Sequence, residues 1–279
     1  MKKKLLSLVL VVTMVCAMLT ACGSSSSTST SASKADKGIQ AIKDAGKLKV
    51  GCKADVVNYG FLNTSTNAYE GFEIDLSYEI AGKIFGCTAE EAKSKGLVEF
   101  KGITAKTRGP LLDTGDIDMV CGTFTMTDER KKSWNFSTPY CQDSVGLMFL
   151  KSTGYTSIKD LDGAIIGVSQ GSTSKDTFNN YIKAQGLNVT VTFQEFDSYP
   201  SINTALASGN IDVFSTDRSI LSSYMNDKTA FIPEIFGTQD YAVATSLGST
   251  ELTASVDSTV KELLANGKMT TMLTKWKIQ

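Results

Sequence analysis

One ten-residue pattern occurs twice in the chain. Leu111-Leu112-Asp113-Thr114-Gly115-Asp116-Ile117-Asp118-Met119-Val120 parallels Ala205-Leu206-Ala207-Ser208-Gly209-Asn210-Ile211-Asp212-Val213-Phe214. Each copy reads as a helix end, a glycine cap, an Ile-Asp pair and an apolar strand. Shortly after each copy comes a Thr-Asp followed closely by arginine, at Thr127-Asp128-Glu129-Arg130 and at Thr216-Asp217-Arg218. Leu48–Gly51 and Ile165–Gly167 form a further matching pair. The repeat predicts two lobes of related α/β design, with a single continuous sheet as the alternative.

The rest of the folded part fits that plan. Strands are expected at Leu48–Cys52, Leu97–Ile103, Ile117–Val120, Val145–Leu150, Ala164–Val168, Val189–Phe193, Ile211–Phe214 and Tyr241–Ser246. Helices are expected at Gly71–Gly86, Arg108–Thr114, Ser172–Gln185, Ser198–Ser208, Asp217–Asn226 and across Thr250–Lys275. In the first of these, Phe72, Leu76, Ile80 and Ile84 recur at four-residue spacing, and Glu73 and Asp75 suit its positive end. Strands separated by helices predict parallel sheets covered on both faces. In such sheets ligands bind beyond the carboxyl ends of the strands.

The first residues read as an export signal. Lys2, Lys3 and Lys4 precede an apolar run from Leu5 to Leu19, shorter than the ~20 residues of a membrane span. The ending Leu19-Thr20-Ala21-Cys22 resembles the bacterial lipoprotein cleavage box. That resemblance implies removal of residues 1–21 and a lipid, such as palmitate, on Cys22. Residues 22–38 are rich in serine and threonine and read as a flexible tether of roughly 20–25 Å. The expected location is the outer face of the cell membrane, held there by the lipid.

Composition removes several function classes. The chain has no histidine, which excludes a His-dependent triad and the commonest metal ligand. Its 28 basic and 29 acidic residues are nearly balanced, so it shows no nucleic-acid footprint. Cys52, Cys87, Cys121 and Cys141 lack metal-like spacing and read as buried free thiols. No cofactor or metal motif is present. An exported hydrolase is the enzymatic alternative, but no Gly-x-Ser-x-Gly elbow or Ser-x-x-Lys signature stands in a fitting context.

Arginine is confined to Arg108, Arg130 and Arg218, and its planar fork suits a carboxylate as lysine does not. Gly122–Arg130 follows a strand and offers three threonine hydroxyls, backbone N–H groups and Arg130. That is equipment for holding a carboxylate, with Arg130 as its centre. Gln170-Gly171-Ser172-Thr173-Ser174 precedes a helix, where an anion or a plain N-cap is equally expected. Asp217 follows a strand and can take an ammonium or cap the next helix. Arg108 stands at the start of a short helix, where a structural cation is disfavoured. Lys53 follows the first strand.

These segments carry a resemblance. The run from Ala105-Lys106-Thr107-Arg108-Gly109-Pro110-Leu111-Leu112-Asp113 to Thr123-Phe124-Thr125-Met126-Thr127-Asp128-Glu129-Arg130 is similar to the polar amino-acid-binding proteins of ABC importers. So are Asn135-Phe136-Ser137-Thr138-Pro139-Tyr140, Gly71-Phe72-Glu73-Ile74-Asp75-Leu76 and Lys275-Trp276. These proteins are the extracellular solute-binding proteins of family 3, with a type II periplasmic-binding-protein fold. Lys-Thr-Arg-Gly-Pro-Leu-Leu-Asp, Asp197-Ser198-Tyr199-Pro200-Ser201 and Ser215-Thr216-Asp217-Arg218-Ser219 look like the aspartate/glutamate-binding branch.

The resemblance implies two α/β lobes joined by two hinge strands, with residues 39–143 and 241–279 as lobe one and residues 144–240 as lobe two. It implies a monomer that closes on an amino acid and docks on the permease. Arg130 would hold the α-carboxylate, assisted by Thr125, Thr173 and Ser172. Asp217 would hold the α-ammonium with the Thr123 carbonyl. Arg108 and Lys53 would face a side-chain carboxylate, and Tyr199 and Tyr59 would wall the cleft. Asp55-Val56-Val57-Asn58-Tyr59 lacks the proline and phenylalanine often found there, which keeps glutamine or cystine open as ligands.

Overall fold

A computed structural model describes residues 38–278. The expected signal, most of the tether and the lipid site at Cys22 lie outside the described residues. Among the described residues no helix is long and apolar enough to cross a membrane.

Two main sheets form, not one. The first has the spatial order Val98–Gly102, Leu48–Cys52, Met119–Val120, Ala244–Ser246, Trp134–Phe136. The second runs Thr192–Phe196, Ile165–Ser169, Val213–Asp217, Cys141–Leu150, Thr229–Phe231, and Phe236–Tyr241 also pairs with Cys141–Leu150. A small three-stranded sheet from Asp55–Val56, Gly60–Asn63 and Ala68–Glu70 hangs on lobe one.

The two halves of the repeat occupy equivalent places. Met119–Val120 lies beside Leu48–Cys52, and Val213–Asp217 lies beside Ile165–Ser169, each pair parallel. The Ile-Asp signature now has a physical cause. Asp118 accepts the Lys49 backbone N–H at 2.8 Å, and its own N–H goes to the Lys49 carbonyl. Asp212 does the same to Ile165, with a carboxylate contact of 2.7 Å. Each aspartate extends the strand pairing by a side-chain bond where the strand begins.

The expectation of all-parallel sheets is corrected. Ala244–Ser246 runs antiparallel to both its neighbours, and Cys141–Leu150 is antiparallel to each of its three partners. These strands carry the chain between lobes, so they do not belong to helix-connected crossovers. Several element bounds also shift: the strand expected at Ile117–Val120 covers only Met119–Val120, that at Ile211–Phe214 is Val213–Asp217, that at Tyr241–Ser246 is Ala244–Ser246, and that at Val145–Leu150 begins at Cys141. The strand expected at Val189–Phe193 is Thr192–Phe196, the helix expected from Ser172 begins at Ser174, and that expected over Asp217–Asn226 covers only Arg218–Ser222. Thr250–Lys275 is two helices, Thr250–Ala265 and Lys268–Lys275, broken at Gly267. The four described cysteines are free, but Cys87 and Cys141 are half-buried, not buried.

Helix Phe72–Phe85 buries Phe72, Leu76, Ile80 and Ile84, the stripe read from spacing, and ends on Gly86 in the left-handed conformation. A single apolar cluster runs from Leu48, Val50 and Phe72 through Tyr59, Tyr140 and Tyr241 to Tyr199, Ile202 and Phe214. It therefore joins the two lobes. At ~25 cal/mol per Å² of apolar surface removed from water, burial of this kind holds the two sheets against each other.

Candidate functional site

The carboxyl ends of four strands meet between the lobes. Lys53 follows Leu48–Cys52, the loop from Cys121 follows Met119–Val120, Gln170–Thr173 follows Ile165–Ser169, and Asp217 ends its own strand.

The loop after Met119–Val120 turns sharply at Thr123, whose φ is 44°. A β-branched residue is costly there, so the turn needs outside support. Glu73 gives it: its Oε1 accepts the Thr123 N–H at 2.5 Å and the Tyr140 hydroxyl at 2.5 Å. The Thr123 carbonyl then accepts Arg108 Nη1 at 2.9 Å, and the Gly122 carbonyl shares that donor at 3.3 Å. The carbonyl expected to receive a ligand ammonium is thus already engaged by Arg108, with one lone pair left.

Arg108 is 3% exposed, and its guanidinium carbon lies 4.0 Å from the centre of the Phe124 ring. Its Nε has no hydrogen-bond partner among the described residues. Arg130 lies against the same ring at 4.9 Å. Its Nη1 donates to the Thr125 carbonyl at 2.7 Å, and its Nη2 reaches across to the Gly171 carbonyl at 3.0 Å. Burial first, and then the like charge of Arg108, pushes Arg130 down to about 9; it stays a cation at neutral pH.

Gly171 itself shows how tightly the lobes meet. Its φ is +75°, and a Cβ there would sit 2.9 Å from the Ala105 carbonyl oxygen of the opposite lobe. Thr125 sits in a bridge with Tyr241, flanked by bonds from Met126 N–H to Asp240 and from Ala242 N–H to Phe124. In such a pair the residue's own N–H turns away from the partner strand.

Asp217 is buried and accepts the Tyr241 hydroxyl. Burial first, and then the charge of Asp143, pushes its carboxyl up to about 7. The expected side-chain cap does not form, which leaves the carboxylate to the cleft. Glu73 is also pushed up to about 7 by burial, against the pull of its Tyr140 and Thr123 donors.

Lys53 is 2% exposed. Its Nζ lies 3.0 Å from Asp55 Oδ1 and 4.8 Å from the centre of the Tyr199 ring. Burial lowers its basicity, while Asp55 opposes the change. Tyr199 is buried against Phe214. The Tyr59 hydroxyl lies 3.2 Å from Ser219 Oγ and 3.6 Å from Cys141 Sγ. Thr125 and Thr173 both donate to Gln239 Oε1 at 2.7 Å. Ser172 is half-buried beside them, and its N–H goes to the Ser169 carbonyl; its side chain joins no hydrogen bond among the described residues.

Nine of the ten candidates are thus drawn into contacts at or beside the interlobe cleft, and Ser172 is adjacent. Neither Arg108, Arg130 nor Asp217 forms an ion pair with another side chain among the described residues. Glu73, Gln239, Tyr241, Asp55 and Asp143 were missed. Glu73 left a signal: with Ser77 it is a polar residue on the buried side of an apolar helix. Gln239 and Tyr241 left none beyond their place at the expected return between lobes.

The chain's relatives bear on this site. The sequence model of the bacterial extracellular solute-binding proteins, family 3, matches residues 48–279. The ABC transporter glutamine-binding protein GlnH of Bacillus subtilis (strain 168) is 32% identical over 278 residues, covering 98% of this chain and 97% of the relative. The glutamate-binding protein GluB of Corynebacterium efficiens is 25% identical, covering 92% and 85%. Among solved structures, an ancestral arginine-binding protein bound to arginine superposes with a TM-score of 0.70 at 29% identity, covering 83% of this chain and 98% of that one. With two sheets meeting over buried charge, and with that match over residues 48–279, the chain belongs to the bacterial extracellular solute-binding proteins of family 3.

Proposed function

We propose that the protein captures an acidic amino acid, aspartate or glutamate, and delivers it to an ABC permease. One observation carries the reading: charges of both signs are buried between the lobes without ion-pair partners of their own. An unpaired buried charge costs several kcal/mol. Arg130 and Arg108 use their donors on backbone carbonyls, and Asp217 accepts only the Tyr241 hydroxyl. A zwitterion answers that pattern, its carboxylate on Arg130 and the Thr125 N–H, its ammonium on Asp217. Arg108, a donor-only group with Nε unsatisfied, then faces a side-chain carboxylate. Lys53 supports it from beside Tyr199. Asp55 offsets Lys53, so the two arginines are the cations left to meet the two carboxylates of an acidic amino acid.

Glutamine is the second reading, and the Lys53–Asp55 pair favours it. A donor and an acceptor 3.0 Å apart match the two ends of a side-chain amide. The glutamine-binding relative in Bacillus subtilis agrees with that reading.

Residues 39–143 with 241–279, and residues 144–240, are the two closing lobes in this proposal. Cys22 carries the lipid that holds the protein outside the cell membrane, and Cys22→Ala should release it into the medium. Calorimetry of the mature chain against aspartate, glutamate, glutamine, cystine and arginine tests the ligand. Tighter binding of glutamine than of either acid overturns the acidic assignment, and no binding to any overturns amino-acid capture.

A further inference from the structure

Gln239 stands where a hydroxyl from each lobe meets the strand between them. It lies on Phe236–Tyr241, opposite Asp143 of the other connecting strand, and is 2% exposed. Its Oε1 accepts Thr125 Oγ1 from lobe one at 2.7 Å and Thr173 Oγ1 from lobe two at 2.7 Å. Its Nε2 donates to the Gly237 carbonyl at 2.9 Å, which fixes which way the amide faces.

Both lone pairs of that oxygen are therefore used, one by each lobe. A threonine hydroxyl has a single proton. While Thr125 and Thr173 give theirs to Gln239, neither can donate to a ligand carboxylate, and each oxygen turns only lone pairs outward. Lone pairs suit an ammonium. Thr125 also offers its carbonyl to Arg130 Nη1, and Arg130 spans to Gly171 two residues before Thr173. The arginine bridge and the glutamine bridge thus tie the same two loops together from different atoms.

We propose that Gln239 is a positioning residue for amino-acid binding: by taking one hydroxyl from each lobe it joins the closed lobes and orients both threonine oxygens as acceptors. This rests on the amino-acid-binding reading above. The separation of lobes alone breaks the arrangement, because the two donors come from opposite sides.

The test is a mutant cycle read by calorimetry with the amino acid that the wild-type chain binds most tightly. Gln239→Met keeps the length and removes the acceptor, and should weaken binding roughly ten- to hundredfold, as for a hydrogen bond at a charged ligand. In a Thr125→Val, Thr173→Val background the same substitution should change affinity by less than about twofold, since coupled residues do not add. An equal loss in both backgrounds overturns the proposal and makes Gln239 merely structural. If Gln239→Met does not fold, Thr125→Val and Thr173→Val suffice, with melting curves confirming that they fold: losses coupled through Gln239 are non-additive, and strictly additive losses overturn it. Wild-type protein that binds no amino acid would instead sink the parent reading, so the two failures are distinct.

Discussion

Asp118 and Asp212 do the same task in different lobes: each carboxylate accepts a backbone N–H near the start of the strand beside its own, at Lys49 and at Ile165. Replacing either with alanine strands that N–H and removes a charge-assisted bond. We expect each substitution to cost about 1.5–3 kcal/mol of stability, read from chemical denaturation. The two sites share no partner, so the double variant should lose close to the sum.

Arg130→Lys keeps a positive charge but loses the fork that reaches Thr125 and Gly171 at once. Amino-acid affinity should fall at least a hundredfold, on the order of 3 kcal/mol, measured by calorimetry. The ligand-free variant should melt no lower than wild type by more than a few degrees. Retained affinity removes Arg130 from the site.

Arg108→Met should separate the two ligand readings. The apolar stem can still cover Phe124, so packing is largely kept. Binding of aspartate and glutamate should weaken at least tenfold more than binding of glutamine. An equal loss across all three ligands shows that Arg108 acts on the shared backbone atoms of the amino acid.

Asp217 and Glu73 give a pH dependence of known sign. Both carboxyls are raised to about 7 in the folded chain, while an unfolded chain ionises them near 4. Between about pH 4 and 7 the folded state holds more protons, so the ligand-free protein should lose stability as pH rises through that window and level off above it. Asp217→Asn should flatten part of the slope. In the proposed site Asp217 holds the ammonium as a carboxylate, so on that reading capture near pH 7 should release protons. Calorimetry in buffers of different ionisation heat reads that release directly.

Much of the fold was legible because the repeat and the glycine caps act locally. The stripe of Phe72, Leu76, Ile80 and Ile84 and the caps at Gly86 and Gly115 follow from neighbours in sequence. The antiparallel strands were not legible, because pairing of Ala244–Ser246 with Trp134–Phe136 depends on residues far apart in the chain. The same divide runs through the site. Arg130 and Asp217 stood out by residue type at strand ends. Gln239 and Asp55 did not, because their roles come from what is brought beside them: a hydroxyl from each lobe in one case, a buried lysine in the other. Glu73 was misread in emphasis, as a complement to the helix end, when its carboxylate holds the backbone of Thr123.

The place of Ala244–Ser246 has a bearing on how the protein is made. It lies between Met119–Val120 and Trp134–Phe136, so the first sheet lacks an interior strand until the end of the chain has been synthesised. The second sheet draws its strands from one uninterrupted stretch, Cys141 to Tyr241. Closure of the first therefore waits on contacts of long sequence separation, which form slowly. The order of synthesis therefore completes the strands of the second sheet before those of the first.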